Sequence, residues 1–598
     1  MKNKTEKNGH SLWGFCMVWL LVALSGSVFA TDAPYTVEEI RERAGWQAVE
    51  LDLEVDLTTA MPSYSGTIRL RLQKDQSLGP VLLLNNREAG MGDFRVWLKS
   101  AGADKLPDHQ IENDIEHPGG RASSLSMITF EKPLEKGAEI EVQFTYHLAR
   151  ELGQIFHRTK SSYASWVTLW YPLAVEDSPA LVSRPALSVP GMTRFQMPAG
   201  WNVLSNGRLY ADETDGGKTL QSWRMDDPVA RSYMAGPFTV SRVTVGEKEV
   251  AMYMLGASQE VVDANSKQLA QTIDVLQRYF GPYPFETFGV AEFPDETTDY
   301  FGAASEQGFI VAKSSYFESE GGWALFAHEA GHAWWGNKFG CRGQGASLCD
   351  EALAQLGPVL VAQEIYGEQA MRDLLDVSVP GFTVYASARG YFAMWRSGED
   401  IALDSIGPEA GWRLTRLEDS KGMWFWHMLR QKLGDDVFFP VLQELANSGQ
   451  FLELEQLETV FEQHSNMDLT AFFAQWLTRK GAPIIDMTWE VVNPMVAPDY
   501  MDGEYEAIIA LAEDGEKEVR VDLVQRQDEL YKLDVEVEIQ YYHKPVERRV
   551  IQLNEKHAQL VFKTDGNVRN ITVDPDRKIL MWRPAYGPRP IFDGQIDK

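Results

Sequence analysis

Cysteine is scarce in this chain, with three among 598 residues. Cys16 falls in the N-terminal apolar run, so Cys341 and Cys349 alone remain to form an intrachain disulfide. Positive charge is also short. Against 86 Asp and Glu stand 56 Lys and Arg, a formal net charge of -30. That balance argues against a nucleic-acid partner and against docking on anionic lipid. The acidity reads first as a solvated, aggregation-resistant surface and only second as steering of substrates. After the N-terminal run, no segment approaches the ~20 apolar residues that a helix needs to span a bilayer. Internal repeats and low-complexity tracts are absent.

What remains is an ordinary globular composition, 44% hydrophobic and 24% charged. At 598 residues the chain exceeds one hydrophobic core, which predicts about two to four domains. Aromatic residues make up 11%, with 18 Trp, enough for substantial cores and an aromatic-lined cleft.

The N-terminus has the form of an export signal. Lys2, Lys4 and Lys7 precede an uncharged apolar run over 12–24, broken by Ser25-Gly26-Ser27. Val28 and Ala30 fit the small-residue positions before a cleavage site, which makes residues 1–30 a signal peptide and Thr31 the mature N-terminus. An uncleaved anchor is the alternative. The protein is therefore expected to be exported, periplasmic or secreted, with no stable membrane span after cleavage.

Val49, Leu51, Leu53, Val55 and Leu57 alternate with polar residues; Ile68, Leu70 and Leu72 repeat the pattern, as do Ile140, Val142, Phe144 and Tyr146. Period-two alternation with Gly/Pro punctuation predicts an antiparallel β domain over 31–247. The spacing then turns helical over 258–280 and again over 322–479, with Gly281-Pro282-Tyr283-Pro284 and Lys480-Gly481-Ala482-Pro483 as stops. Alternation returns with Val519, Val521 and Leu523, then Leu533, Val535, Val537, Ile539 and Tyr541. The expected fold class is multidomain α+β: an N-terminal antiparallel β domain, a mainly helical domain over 248–483, and a C-terminal β-sandwich over 484–598.

The sharpest pattern is His328-Glu329-Ala330-Gly331-His332, followed after eighteen residues by Glu351. Histidines four apart project from one helical face, so both imidazoles can reach one ion. Glu329 is then placed to handle a metal-bound water, and the gap lets a second helix bring Glu351 as third ligand. Chance would produce the full pattern in about one chain per thousand. One Zn2+ ion is the expected cofactor. Cys341 and Cys349 lie between His332 and Glu351 and are candidates for a disulfide; free buried thiols remain open. Zinc ligation by them is less suited, because two histidines and a glutamate already leave the one open position of a catalytic site.

Around these residues the chain resembles the M1 family of zinc aminopeptidases, a branch of the gluzincins. His328-Glu329-Ala330-Gly331-His332-Ala333-Trp334-Trp335-Gly336-Asn337 is similar to that family's HExxH-x-W-[FW]-G-N, and Asp350-Glu351-Ala352 to its Asn-Glu-Gly. Phe280-Gly281-Pro282-Tyr283-Pro284 and Phe472-Phe473-Ala474-Gln475-Trp476-Leu477 also resemble family segments. The resemblance implies a gluzincin catalytic domain over 248–483 in a short architecture without the large helical C-terminal domain. It implies His328, His332 and Glu351 as metal ligands and Glu329 as general base. The family's Gly-Ala-Met-Glu-Asn strand corresponds to Ala303-Ala304-Ser305-Glu306-Gln307, which implies Glu306 as holder of the substrate amine. A strand-end glutamate without that role is the other reading.

One departure bears on chemistry. Where the family places a tyrosine in Tyr-x-Lys-Gly, this chain reads Asp419-Ser420-Lys421-Gly422. An ionised carboxylate cannot donate to an oxyanion, and losing such a donor costs about 10²–10³ in rate. Tyr391 is a candidate substitute by residue type alone. His427, amid Trp424, Phe425, Trp426 and Met428, reads as structural. Three functions stay open: removal of N-terminal residues from peptide substrates, cleavage of internal peptide bonds, and a catalytically impaired zinc scaffold that binds peptides or a partner. The preferred N-terminal residue and the oligomeric state are not encoded legibly.

Overall fold

A computed structural model describes residues 35–73, 81–86, 91–99, 107–116, 123–151, 153–175, 188–380, 382, 385–407, 416–492 and 517–590. The expected export signal, residues 1–30, lies outside them. The described chain is multidomain α+β and forms two compact units: Met1–Arg278 with Pro282–Asn337, and Tyr279–Gly281 with Lys338–Lys598. No helix among the described residues is long and apolar enough to cross a membrane.

The first unit is built on a seven-stranded sheet. Its strands, in spatial order, are Arg208–Asp215, Lys218–Val229, Val189–Pro198, Trp46–Asp56, Ser63–Leu72, Glu139–Leu148 and Met91–Lys99. Leu51, Leu53, Val55, Ile68, Leu70, Val142, Phe144 and Tyr146 are buried, as their alternation predicts. Val49 and Ile140 are the exceptions, both half-buried. The pairing slips between Ala48 and Glu50, so Val49 sits in a bulge and only half buries. The sheet also departs from a purely antiparallel plan, because Trp46–Asp56 pairs parallel with Val189–Pro198, Leu53 opposite Thr193. Alternation reports the buried face of a strand and says nothing of its neighbour's direction.

The expected boundary between residues 247 and 248 falls in a hairpin turn, where Val245 pairs with Lys248. Both hairpin strands, Phe238–Val245 and Lys248–Leu255, belong to a mixed five-stranded sheet continued by Thr287–Phe293, Phe309–Lys313 and Ala303–Glu306. Helix Gln259–Phe280 is the crossover between the parallel strands Lys248–Leu255 and Thr287–Phe293. Gly281, at φ +91, stops it. A further small sheet contains Asn202–Ser205, Tyr233–Gly236, Ser162–Ala164 and Ile155–His157.

The second unit opens with helices and closes with strands. Glu351–Ala354, Leu356–Val361, Glu368–Val377, Ala388–Arg396, Met423–Leu433, Asp435–Ser448, Gln456–Ser465 and Thr470–Trp476 make up most of its helical part. Two three-stranded antiparallel sheets follow: Ile485–Val492, Lys517–Gln525 and His557–Thr564, then Glu547–Leu553, Leu533–Tyr541 and Val568–Val573. Val519, Val521, Leu523, Val535, Val537 and Ile539 are all buried, one apolar face per sheet. His427 is buried too, its ring Nε2 donating to the Arg577 carbonyl at 2.9 Å. Burial pushes it down to about 4, so it stays neutral and structural.

The first unit's main sheet contains a very close backbone approach at Gly191. Gly191 has φ +140, and a Cβ there would lie 2.1 Å from the Leu51 carbonyl oxygen. Gly217 also has positive φ, +76, but faces open space. Gly191→Ala is therefore expected to cost about 3 kcal/mol or more, and Gly217→Ala about 1 kcal/mol. Urea midpoints of the two variants check the difference.

Candidate metal centre

The histidine motif lies at the end of a short buried helix, Gly322–Gly331. The helix starts tightly against the preceding turn: a Cβ on Gly322 would meet the Tyr316 carbonyl oxygen at 2.0 Å. His328 occupies the last turn and His332 the C-cap, still in helical conformation at φ -61, ψ -16. Gly336, at φ +87, then turns the chain away. The nearby Gly-Pro-Tyr-Pro segment packs on the same motif. Trp334 donates from its indole N–H to the Pro282 carbonyl at 3.2 Å and meets the Tyr283 ring edge-on at 5.5 Å.

Both imidazoles are buried, with their Nε2 atoms 3.2 Å apart and their rings at 82°. His332 Nδ1 lies 3.2 Å from the Trp335 carbonyl oxygen, an acceptor only, so the proton sits on Nδ1. That tautomer leaves the Nε2 lone pair aimed at His328. Burial, and then the neighbouring His332, hold His328 well below the ordinary imidazole range. A neutral ring is what coordination requires. Glu329, between the two, is almost completely buried.

In the second unit, Glu351 opens the one-turn helix Glu351–Ala354 and is 3% exposed. A π-helical turn, Glu418–Gly422, packs on it so closely that a Cβ on Gly422 would lie 2.7 Å from Ala352 Cβ. Glu418 is pushed well above the usual carboxylate range, first by burial and then by the charges of Glu351, Asp419 and Asp350. Cys341 and Cys349 are joined in a disulfide, Cα to Cα 5.5 Å.

His328, His332 and Glu351 form a buried group whose ligand atoms all lie within 4.8 Å of one another, able to hold a metal ion. The donor set fits. A tetrahedral ion with metal–nitrogen bonds of about 2.0–2.1 Å places two nitrogens about 3.3 Å apart, and the observed separation is 3.2 Å. Two converging imidazole lone pairs at that distance repel unless a proton or a cation lies between them.

Glu306 ends strand Ala303–Glu306 and is 2% exposed. Tyr163 donates its hydroxyl to Oε1, and Ser232 donates to Oε2 at 2.6 Å. Among the described residues no cationic side chain pairs with it. Burial raises it to about 7, while the hydroxyl donors pull the other way. The two hydroxyls lie 143 and 74 residues away in sequence, and no local pattern announces them.

Asp419 is buried within the π-helical turn. Tyr391 does not serve as its substitute in this arrangement. Its hydroxyl donates to Asp400 at 3.0 Å, and the same carboxylate oxygen accepts the Gly481 amide at 2.5 Å. Lys421 donates to the Arg479 carbonyl at 2.6 Å and stands 4.0 Å from Asp400, so Tyr391 belongs to a buried framework.

No protein-family model matches the chain, and no curated protein sequence does. Among solved structures, its fold is similar to that of Legionella pneumophila aminopeptidase A, crystallised in complex with aspartic acid. The TM-score is 0.57 at 14% identity, over 90% of this chain and 60% of that one. This chain thus spans less than two thirds of the length of the structure it matches, and the likeness is one of fold.

Proposed function

We propose that the protein is an exported, zinc-dependent aminopeptidase of the M1 kind that removes N-terminal residues from peptides. The observation that carries this reading is the convergence of His328, His332 and Glu351, with Glu329 the residue next to His328 on the same buried helix. His328, His332 and Glu351 would hold the zinc, which would supply a Lewis acid for the scissile carbonyl and for the attacking water. Glu329 takes the proton of the attacking water and returns it to the leaving amine.

Glu306 supplies the selectivity for a free N-terminus. A fully buried carboxylate held only by hydroxyls lacks a counter-charge, and a substrate ammonium provides one. Peptides are the expected partners.

A second reading rests on Asp419. In the absence of a donor at that position, hydrolysis is slow, and the limiting case is a zinc scaffold that binds peptides in a disused cleft. Intact Glu329 favours catalysis, because a scaffold needs ligands and has no use for a base.

Purified protein should release arylamine from aminoacyl-arylamides, lose that activity to chelator and regain it with Zn2+. N-terminally blocked peptides should resist it. Glu329→Gln should keep one bound zinc while lowering kcat by about 10²–10⁴; a variant that still turns over normally removes Glu329 as base.

Glu306→Gln should raise KM for free-amine substrates about 10- to 100-fold with a smaller change in kcat. Its stability should depend on pH in a defined direction. Glu306 titrates near 7 when folded against a model value of 4.5. The folded state therefore holds the extra proton, and wild-type stability falls as pH rises through that window. The Gln variant should match wild type near pH 4 and exceed it by up to about 3 kcal/mol at pH 8. Thermal melts at the two pH values provide the check.

A further inference from the structure

Glu351 is the ligand whose backbone support is thinnest. Its one-turn helix Glu351–Ala354 is closed by Ala354 N–H to the Asp350 carbonyl and Gln355 N–H to the Glu351 carbonyl, both at 2.9 Å. The C-terminal side runs on into helix Leu356–Val361. The N-terminal side is irregular. Asp350 leaves helical geometry at φ -117, ψ -88, and before it the chain makes only the 3-10 turn Ala346–Cys349. Upstream of that turn, Gly343 and Gly345 adopt φ +85 and +69, outside regular structure, and Gly345 is anchored by its N–H to the Ile406 carbonyl at 2.6 Å.

The covalent restraint on this segment is the disulfide. Cys349 stands two residues before Glu351 and is fully buried. Its partner Cys341 lies in strand Gly340–Arg342, which pairs parallel with Phe451–Glu453, Cys341 opposite Leu452. The bridge thus ties the ligand's N-terminal flank to a two-stranded ribbon. The Trp426 indole N–H adds a 2.7 Å bond to the Leu348 carbonyl on the same turn.

We propose that the Cys341–Cys349 disulfide is a positioning device for Glu351, so that metal affinity is coupled to the oxidation state of this pair. This inference rests on the metal-centre reading above. Both cysteines of the chain outside the N-terminal run are committed to the segment that delivers the third ligand. The bridge narrows the positions open to the Glu351 carboxylate before an ion arrives, and an ion bound to Glu351 narrows the positions open to Cys349 in turn. Such coupling is reciprocal by thermodynamic necessity.

The test compares oxidised wild type with Cys341→Ala/Cys349→Ala, measuring Zn2+ affinity by competition with a chromophoric chelator. The double variant should bind about 10- to 100-fold more weakly, the range that supporting groups around a metal site carry. Val537→Ala, in the distant strand Leu533–Tyr541, serves as a control that lowers the melting temperature without touching the site; its zinc affinity should match wild type. Equal affinity in the double variant and wild type overturns the inference and leaves the metal centre standing. Failure of oxidised wild type to bind zinc brings down both.

If the double variant does not fold, the wild-type disulfide decides the matter. Its reduction potential, read by thiol alkylation and mass spectrometry in dithiol redox buffers at fixed free Zn2+, should become more negative by about 30 mV for each tenfold of coupling. No shift with zinc, or a shift to less negative potential, overturns the proposal.

Discussion

Two imidazole nitrogens are held 3.2 Å apart in a place with almost no access to water. At that distance the two nitrogens need one proton, or one cation, between them. Much of the surrounding structure exists to impose it. The tight glycine start of helix Gly322–Gly331, the Trp335 carbonyl on His332 Nδ1 and the packing of Trp334 on Tyr283 leave the rings little freedom. A preorganised, desolvated donor pair is the condition under which a third ligand completes a tight site.

Carboxylates around this chemistry are treated in two ways. Glu306 is surrounded by neutral hydroxyls, so its charge is left without a counter-ion and its proton is held toward neutrality. Glu418 lies among other acids and is pushed above the ordinary carboxylate range, first by burial and then by the charges of Glu351, Asp419 and Asp350. The first arrangement leaves a buried carboxylate with neutral donors and no counter-charge among the described residues. The second makes ionising Glu418 costly by placing like charges beside it.

Much of this was legible from residues alone because it is local. Period two located the buried faces of Trp46–Asp56, Ser63–Leu72 and Glu139–Leu148, and helical spacing with a Gly-Pro stop located Gln259–Phe280. The i, i+4 histidines state their own geometry. What stayed hidden depends on distant pairing. The bulge at Val49 arises from a partner strand, the π-helical turn at Glu418–Gly422 from tertiary packing, and the hydroxyl cradle of Glu306 from segments far along the chain. The hairpin across residues 245–248 shows the same limit, since its two strands pair within one sheet across the expected boundary.

The parallel pairing of Trp46–Asp56 with Val189–Pro198 has a consequence for how such a chain matures. A central strand joins residues about 140 apart, as the bond from Gln196 to Asp56 illustrates. Until the later segment emerges, the early hairpin presents a bare, apolar edge with unsatisfied amides. Long-range closure of this kind is slow and leaves nascent chains vulnerable to self-association. The seven-stranded sheet therefore closes only once Val189–Pro198 is available to pair.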